Sequence, residues 1–380
     1  MVFILKHKDE ELLKFGVLKN IEEPVIKLLW KNTRKKYLFP LDLDLTESGL
    51  VKWLKRRNIP KNRAFVDTFL AKQGLSSNRP MDIISVSKGL SLNDVYWVVE
   101  EGFKGKFKDY NLYDNKFSAV LALIAFTGYG SSKQSAFSSS PEFTTNGMLP
   151  KCWRRIRGKI LLYKGGTTGA SNAGNEPTSE SLAYQVGKKA GFNVIKYDLK
   201  KWKKVEESSC CVCELFTSKN ISYLPIGRII TSGGMTKVRE YYKKLGKKFE
   251  DALNEMIVFD AIICNTDRHF GNFGILVDNK TNKIIAPAPL FDHGNSLFNF
   301  AGRDVWSTKE EFDKYVDLQK PSVYDDFILE AKKCLSSEIK NKIKKLFNFR
   351  FSKNSKYTRN EKQIKMIANK VRERARLLFE

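Results

Sequence analysis

Short apolar runs at Val2 to Leu5, Phe15 to Leu18, Pro24 to Trp30 and Tyr37 to Leu43 alternate with turn and charge clusters, the pattern of short strands. Amphipathic stretches follow near Thr46 to Arg57 and Arg63 to Lys72, so residues 1–110 predict a small mixed α+β subdomain. The segment Ser91 to Val98 is expected to pack as a cover on the part that follows. Over 111–216 the apolar run Ala119 to Phe126 precedes serine- and glycine-rich punctuation from Gly128 to Gly147. A strand-like GKILLYK (Gly158 to Lys164), a loop from Gly165 to Pro177 and the helix pattern TSESLAYQVGKKAGF complete a β-rich domain. Residues 217–380 read as helical, with one period linking Phe249, Leu253, Met256, Ile257, Asp260 and Ile263 between Tyr241 and Cys264. That period stops at a polar cluster and a hairpin pattern and resumes from Lys309 to the end. No repeat or long low-complexity tract is present.

Composition narrows the class. The 380 residues are 42% hydrophobic and 29% charged, which is a core-forming chain of two or three domains. Ala119 to Phe126 falls far short of the ~20 residues that cross a bilayer, and charges begin at Lys6, so neither a membrane span nor export is expected. Six cysteines, three of them at Cys210, Cys211 and Cys213 in an apolar segment, predict buried reduced thiols and a cytoplasmic home. Cys210 and Cys213 form a C-x-x-C, but no second pair or nearby histidine completes a metal site. The formal charge of +25 attracts polyanions in general. It is spread along the chain and thickens at the C-terminus, where basic residues separate Ile364, Ile367, Val371 and Leu377. A solvated face of a closing helix accounts for this pattern, with a polyanion-binding surface as the alternative. Without a zinc finger, basic zipper or helix-turn-helix pattern, direct sequence-specific DNA binding is not expected.

The chemistry concentrates where the long helical period ends, in Asn265-Thr266-Asp267-Arg268-His269-Phe270-Gly271-Asn272. A hairpin between Asn272 and Asp292 would bring Asp267, Asn272 and Asp292 to one end. Phosphoryl transfer needs such a set: one aspartate to orient and deprotonate the attacking hydroxyl, an asparagine and a second aspartate to hold Mg²⁺ against nucleotide phosphates. The D-x-x-x-x-N spacing followed by D-x-G is shared by protein kinases and phosphoinositide kinases. His269 and His293 with the two aspartates would also suit a transition metal, yet no short ligand spacing such as H-E-x-x-H supports one. A purely structural polar helix end is the plain alternative.

The cluster NTDRHFGNFG resembles the N-x-D-x-H-x-x-N-F motif of the HipA-like serine/threonine kinase family, and IAPAPLFDHGNS resembles that family's L-x-P-x-Y-D segment, with Phe291 where tyrosine is common. The resemblance implies an α+β, two-lobed protein-kinase-like fold: a β-rich N-lobe over 111–216 with a phosphate loop, a helical C-lobe over 217–380 with the catalytic loop, and an extra N-terminal α+β subdomain. It implies Asp267 as base, His269 as a catalytic-loop residue, and Asn272 with Asp292 as Mg²⁺ ligands. Lys164 and Glu180 are then the ion pair on the ATP α/β-phosphates. Thr144-Thr145-Asn146-Gly147-Met148-Leu149-Pro150-Lys151 resembles the phosphate loop, usually S-G-x-Q-x-K, with Asn146, Gly147 and Lys151 toward ATP; Met148 and Leu149 depart from the pattern. Val212-Cys213-Glu214-Leu215-Phe216 resembles the hinge, whose backbone at Glu214 and Phe216 would meet adenine. The motifs run from Ser139 to Phe298. Thr144 or Thr145 is the candidate for self-phosphorylation, and Arg268 is open to a role against the phosphates or a phosphorylated loop. Expected partners are a protein with a serine or threonine acceptor and a helix-turn-helix antitoxin. A phosphoinositide-type lipid kinase and a catalytically silent kinase-fold binding module are the competing functions.

Overall fold

The N-terminal alternation folds into an antiparallel sheet of order β3-β2-β1-β4. In the computed structural model, which describes residues 1–130, 140–202 and 209–380, its strands are β1 (Val2–His7), β2 (Glu10–Lys19), β3 (Val25–Lys31) and β4 (Tyr96–Glu100). The predicted run Tyr37 to Leu43 is not a strand. It forms a 3-10 turn at Lys36–Leu38 and a loop around Pro40, because Leu38 and Phe39 drop into the core while Tyr37 and Leu41 stay outside. Five helices follow, α1 (Glu47–Lys55), α2 (Val66–Ala71), α3 (Pro80–Ser87), α4 (Phe107–Tyr110) and α5 (Ala119–Thr127); α1, α3 and α4 pack on this sheet, while α2 and α5 share a separate core with Ile83 and Phe143. Thr46 caps α1 by accepting the Gly49 N–H at 3.0 Å, and Ser118 caps α5.

Both faces of the sheet carry core. Leu13, Phe15 and Ile26 meet Leu50, Trp53 and Leu54 on one side, and Ile4, Trp97 and Val99 meet Phe107, Leu112 and Ile160 on the other. The segment expected as a cover therefore supplies β4, whose Trp97 shares a core with Ile160. Strands β5 (Lys151–Ile156) and β6 (Lys159–Lys164) are joined by Arg157 and Gly158, at φ +50° and +78°. Two left-handed residues in succession make the tight turn that matches strand twist. Of the serine-rich punctuation, residues 131–139, including Ser139, lie outside the described residues; so do 203–208.

The chain divides into two compact units. The first is Met1–Tyr163 with Glu214–Leu224 and Leu276–Ile285; the second is Lys164–Cys213 with Pro225–Ile275 and Ala286–Glu380. The second opens with α6 (Glu176–Ala190) and the antiparallel pair β7 (Asp198–Lys201) and β8 (Ser209–Glu214). Strands β9 (Ile221–Pro225), β10 (Gly274–Asp278) and β11 (Ile284–Pro287) form a sheet of order β11-β10-β9, most of whose residues belong to the first unit. Otherwise the chain from 217 onward is built on helices: α7 (Gly234–Leu245), α8 (Lys247–Ile263), α9 (Lys309–Asp317), α10 (Phe327–Lys332), α11 (Ser337–Lys344) and α12 (Glu361–Leu377). The period from Tyr241 to Cys264 spans two helices, because Gly246 at φ +108° separates α7 from α8.

Helix α8 is the axis of this unit, with α6, α7, α10 and α12 against it. The closing helix α12 does not turn all its charge to solvent: Lys370 pairs with Asp313 at 2.5 Å, and Arg374 Nε donates to the Ala261 carbonyl at 2.6 Å. Both side chains cross the buried face beside Ile367 and Val371. All six cysteines are buried, and none of them is in a disulfide. Among the described residues, no helix is long and apolar enough to cross a membrane.

Candidate functional site

Within the second unit, Lys164 ends β6 as a buried cation between two carboxylates. Its ammonium pairs with Glu180 on α6 and with Asp292 Oδ1 at 2.5 Å. Burial alone would discharge it, but Asp292 and Glu180 outweigh that cost and hold its pKa well above that of an ordinary lysine. Burial pushes the Glu180 carboxyl up, against the pull of Lys164. The second Glu180 oxygen accepts the His293 N–H at 2.8 Å, so one carboxylate joins the β6 lysine to the D-x-G segment. Asp292 itself sits at φ +60°, a left-handed conformation costly for a non-glycine residue. One turn before Glu180, the buried Glu176 accepts the Thr167 N–H at 3.2 Å and ties the loop after Lys164 to the same helix.

The polar cluster begins where α8 ends. Cys264 turns left-handed at φ +49°, and Asn265 N–H returns to the Asp260 carbonyl at 3.0 Å. The next turns are held by Arg268, which is fully buried: Nε and one terminal nitrogen bind the two Asp260 oxygens at 2.8 and 2.9 Å. Its other terminal nitrogen donates to the carbonyls of Asn272 and Phe291 at 2.8 and 2.9 Å. Arg268 thus fastens both the Asp267–Asn272 loop and the approach to Asp292. The expectation that it faces phosphates or a phosphorylated loop is corrected here, because its donors are engaged inside the fold. Burial opposes its charge, but Asp260 more than compensates and raises its pKa.

Asp267 is half-buried, and its Oδ2 accepts the Asn295 side-chain N–H at 3.0 Å. Asn272 turns its amide nitrogen to the Asp267 carbonyl at 3.3 Å. His269 is exposed, its Nδ1 accepting the Gly271 N–H at 3.0 Å. His293 is instead buried, edge-on against Phe259 with a ring-centroid distance of 5.1 Å, and neither ring nitrogen has a hydrogen-bond partner. Burial and then the Arg268 charge hold its pKa well below the usual histidine value, so the ring is neutral. Among the described residues no group of three or more His, Cys, Asp or Glu side chains could hold a metal.

The remaining predicted residues belong to the first unit. Thr144 is buried and donates its hydroxyl to the Leu90 carbonyl at 2.7 Å; the Thr145 hydroxyl donates to Pro141 O at 2.7 Å and accepts from Trp153 Nε1 at 3.0 Å. Asn146, Gly147 and Met148 are exposed at the loop tip. Gly147, at φ +94°, leaves room for the Lys151 ammonium, which any Cβ there would strike. The loop hangs from Arg63, which donates to the carbonyls of Thr145 at 3.1 Å and Lys151 at 2.5 Å and pairs with buried Glu142 at 3.0 Å. Met148 O accepts the Ala64 N–H at 2.8 Å. At the hinge pattern, Glu214 pairs with Lys159 at 2.6 Å, Leu215 N–H bonds to Ile160 O at 2.9 Å, and Phe216 packs edge-on to Tyr223.

Asp260, Asn295, Arg63 and Glu142 escape a motif search. Asp260 leaves one signal, an acid in phase with the apolar face of a helix, which marks a buried partner. Arg63 and Glu142 are 79 residues apart, and nothing local relates them.

These elements compose a HipA-like kinase fold. The chain matches HipA of the Shewanella oneidensis MR-1 toxin–antitoxin system, solved with HipB and its operator DNA, over 98% of this chain and 96% of that one, with TM-score 0.56 and 11% identity. It is also similar to the Helicobacter pylori proinflammatory kinase CtkA, with TM-score 0.48 and 17% identity over 62% of this chain and 91% of that one. No protein-family model matches the sequence, and no curated protein does.

Proposed function

We propose that the chain is an ATP- and Mg²⁺-dependent kinase that transfers the γ-phosphate to a serine or threonine hydroxyl of a protein. The observation that carries this reading is the buried Lys164–Glu180–Asp292 cluster in the same unit as an Asp267–Asn272 loop. A surface lysine would not be held between two carboxylates in this way; a phosphate-orienting lysine must be. Asp267 has one oxygen fixed by Asn295, which leaves the other for an acceptor hydroxyl. In the transfer, Asp267 takes the hydroxyl proton while the acceptor oxygen bonds to Pγ; the bond from Pγ to the bridging oxygen breaks, and ADP leaves with that electron pair.

Asn272 and Asp292 fit Mg²⁺ by donor chemistry, since both offer hard oxygens and Asp292 keeps part of its carboxylate exposed. Bound there, the ion would neutralise charge on the β- and γ-phosphates. Lys164, released from Asp292, would orient the α- and β-phosphates while Glu180 keeps it placed. In the first unit, the Asn146–Gly147 tip and Lys151 are the proposed phosphate cover, and the backbone at Glu214 and Phe216 the proposed adenine contact. Self-phosphorylation at Thr144 or Thr145 requires those hydroxyls to leave the Leu90 and Pro141 carbonyls, so it is coupled to withdrawal of the loop. Since the HipA neighbour was solved with HipB and operator DNA, a helix-turn-helix antitoxin is the proposed partner and the cytoplasm the proposed setting.

Incubation with radiolabelled ATP and Mg²⁺ tests this, comparing wild type with Asp267→Ala and Asp292→Ala. Transfer by wild type to itself or to lysate proteins, lost in both variants, supports the assignment. Wild type that neither binds nor consumes ATP overturns it in favour of a silent binding module, and label found in lipid extracts redirects it to a lipid kinase.

A further inference from the structure

Over β2 and β3, one face of the N-terminal sheet is left open. On β2, Leu13 and Phe15 point into the core, so Lys14 and Gly16 lie on the opposite face. The register pairs Lys14 with Trp30 and Gly16 with Lys27, which places Trp30 and Lys27 on that outer face too; Val25 precedes the core-facing Ile26 and so also lies there, and the register shift between Val17 and Lys19 pairs Lys19 with it. Leu29 is the extra residue at a register shift and lies over Gly16, its Cδ1 3.8 Å from where a Cβ would stand. Across β1 and β4 this side of the sheet is covered by the Trp97 cluster. Over β2 and β3 it is open: Val25, Leu29 and Trp30 are 42%, 52% and 42% exposed.

Charge selects the occupant. Among the described residues, Lys19 and Lys27 have no carboxylate partner, while the acids on the neighbouring turn, Glu22 and Glu23, are neutralised by Lys61 and Lys55. The free edge of β3 is less inviting to another strand, because the Leu28 N–H already donates to Glu47 at 3.0 Å. What remains is a flat patch with tryptophan and aliphatic side chains between unpaired lysines, on a chain of formal charge +25. A surface that is anionic outside and apolar a few ångströms deeper matches both features. We propose that this face docks the protein peripherally on anionic lipid, with Val25, Leu29 and Trp30 entering the headgroup boundary and Lys19 and Lys27 meeting the headgroups.

The test is co-sedimentation of the full chain with phosphatidylcholine vesicles, with and without phosphatidylserine, at physiological salt. Wild type should pellet only with the anionic vesicles. Leu29→Ser/Trp30→Ser and Lys19→Glu/Lys27→Glu should each weaken binding by about tenfold or more. The charge-matched control Lys188→Glu/Lys189→Glu, at exposed positions of the other unit, should weaken it much less. Brominated phosphatidylserine should quench wild-type tryptophan emission more than that of Trp30→Phe. Equal losses in the control would assign any binding to diffuse charge, and no effect of the apolar pair would remove insertion; either outcome overturns the proposal. So does a wild type that ignores both vesicles, and if the apolar pair then abolishes a dimer seen by sedimentation velocity, the face belongs to a second copy of the chain.

Discussion

The candidate catalytic loop of the second unit and the candidate phosphate loop of the first are both hung from a buried arginine–carboxylate pair, but the two pairs are built differently. Arg268 grips Asp260 with a two-point fork across eight residues and spends its last nitrogen on the Asn272 and Phe291 carbonyls. Arg63 meets the Glu142 carboxylate through only one nitrogen across 79 residues, leaves Nε without a partner, and spends its other bonds on the carbonyls of Glu142, Thr145 and Lys151. A fork fixes orientation as well as distance, whereas single bonds to carbonyls leave a loop freer to depart. The groups proposed for chemistry therefore rest on the forked pair, and the loop proposed to cover a nucleotide rests on the pair without a fork.

The sharpest way to break this comparison is Asp267→Ala, which should lower phosphate transfer about a hundred- to ten-thousand-fold with an unchanged melting temperature. A fall in activity matched by a fall in stability would make Asp267 a fold residue instead. Next, Arg268→Ala strands the Asp260 carboxylate in the core and should cost about 3–5 kcal/mol in urea denaturation. Glu142→Gln should cost less, about 1–2 kcal/mol, because an amide oxygen can still accept the Trp153 N–H and burial already works against the Glu142 charge. If it costs as much as Arg268→Ala, the two pairs are equally rigid.

Acid sharpens the comparison through one histidine in each unit. His7 in the first is pushed down to about 4 by burial and by Lys8, and His293 in the second lies well below its usual value. Unfolded histidine takes up its proton near pH ~6.5, so both contributions are complete above that pH and fade as it falls toward the folded values. Denaturation at about pH 7 and pH 5 should show a loss of up to about 1.4 kcal/mol per pH unit from each, and His293→Phe should flatten the second unit's share. The smallest expected effect is Thr145→Val. Loss of the Pro141 and Trp153 bonds should cost about 1 kcal/mol and speed proteolysis at the loop before any change elsewhere.

How much of this was legible beforehand differs by region. The Asp267–Asn272 cluster could be found because its partners lie within a few residues of each other, and a local spacing survives in sequence whatever surrounds it. Lys164 and Glu180 were legible through the strand-loop-helix that separates them. Arg268 was left open to a role against phosphates because a charged residue in a motif looks chemical until its burial is known. Tyr37 to Leu43 looked like a strand because apolar composition does not distinguish a strand from a loop that drops Leu38, Phe39 and Leu43 into a core. The basic stripe of α12 looked solvated, yet Lys370 and Arg374 find acceptors on other elements.

The sequence by itself determined the spacing of the candidate motifs, the helical and strand periods and the turn residues, since each follows from neighbours along the chain. Only the tertiary structure decided which charges are buried, which carboxylate neutralises which cation, and which side of the first sheet stays open. Those outcomes depend on desolvation and on contacts between residues tens of positions apart, and no local pattern encodes either.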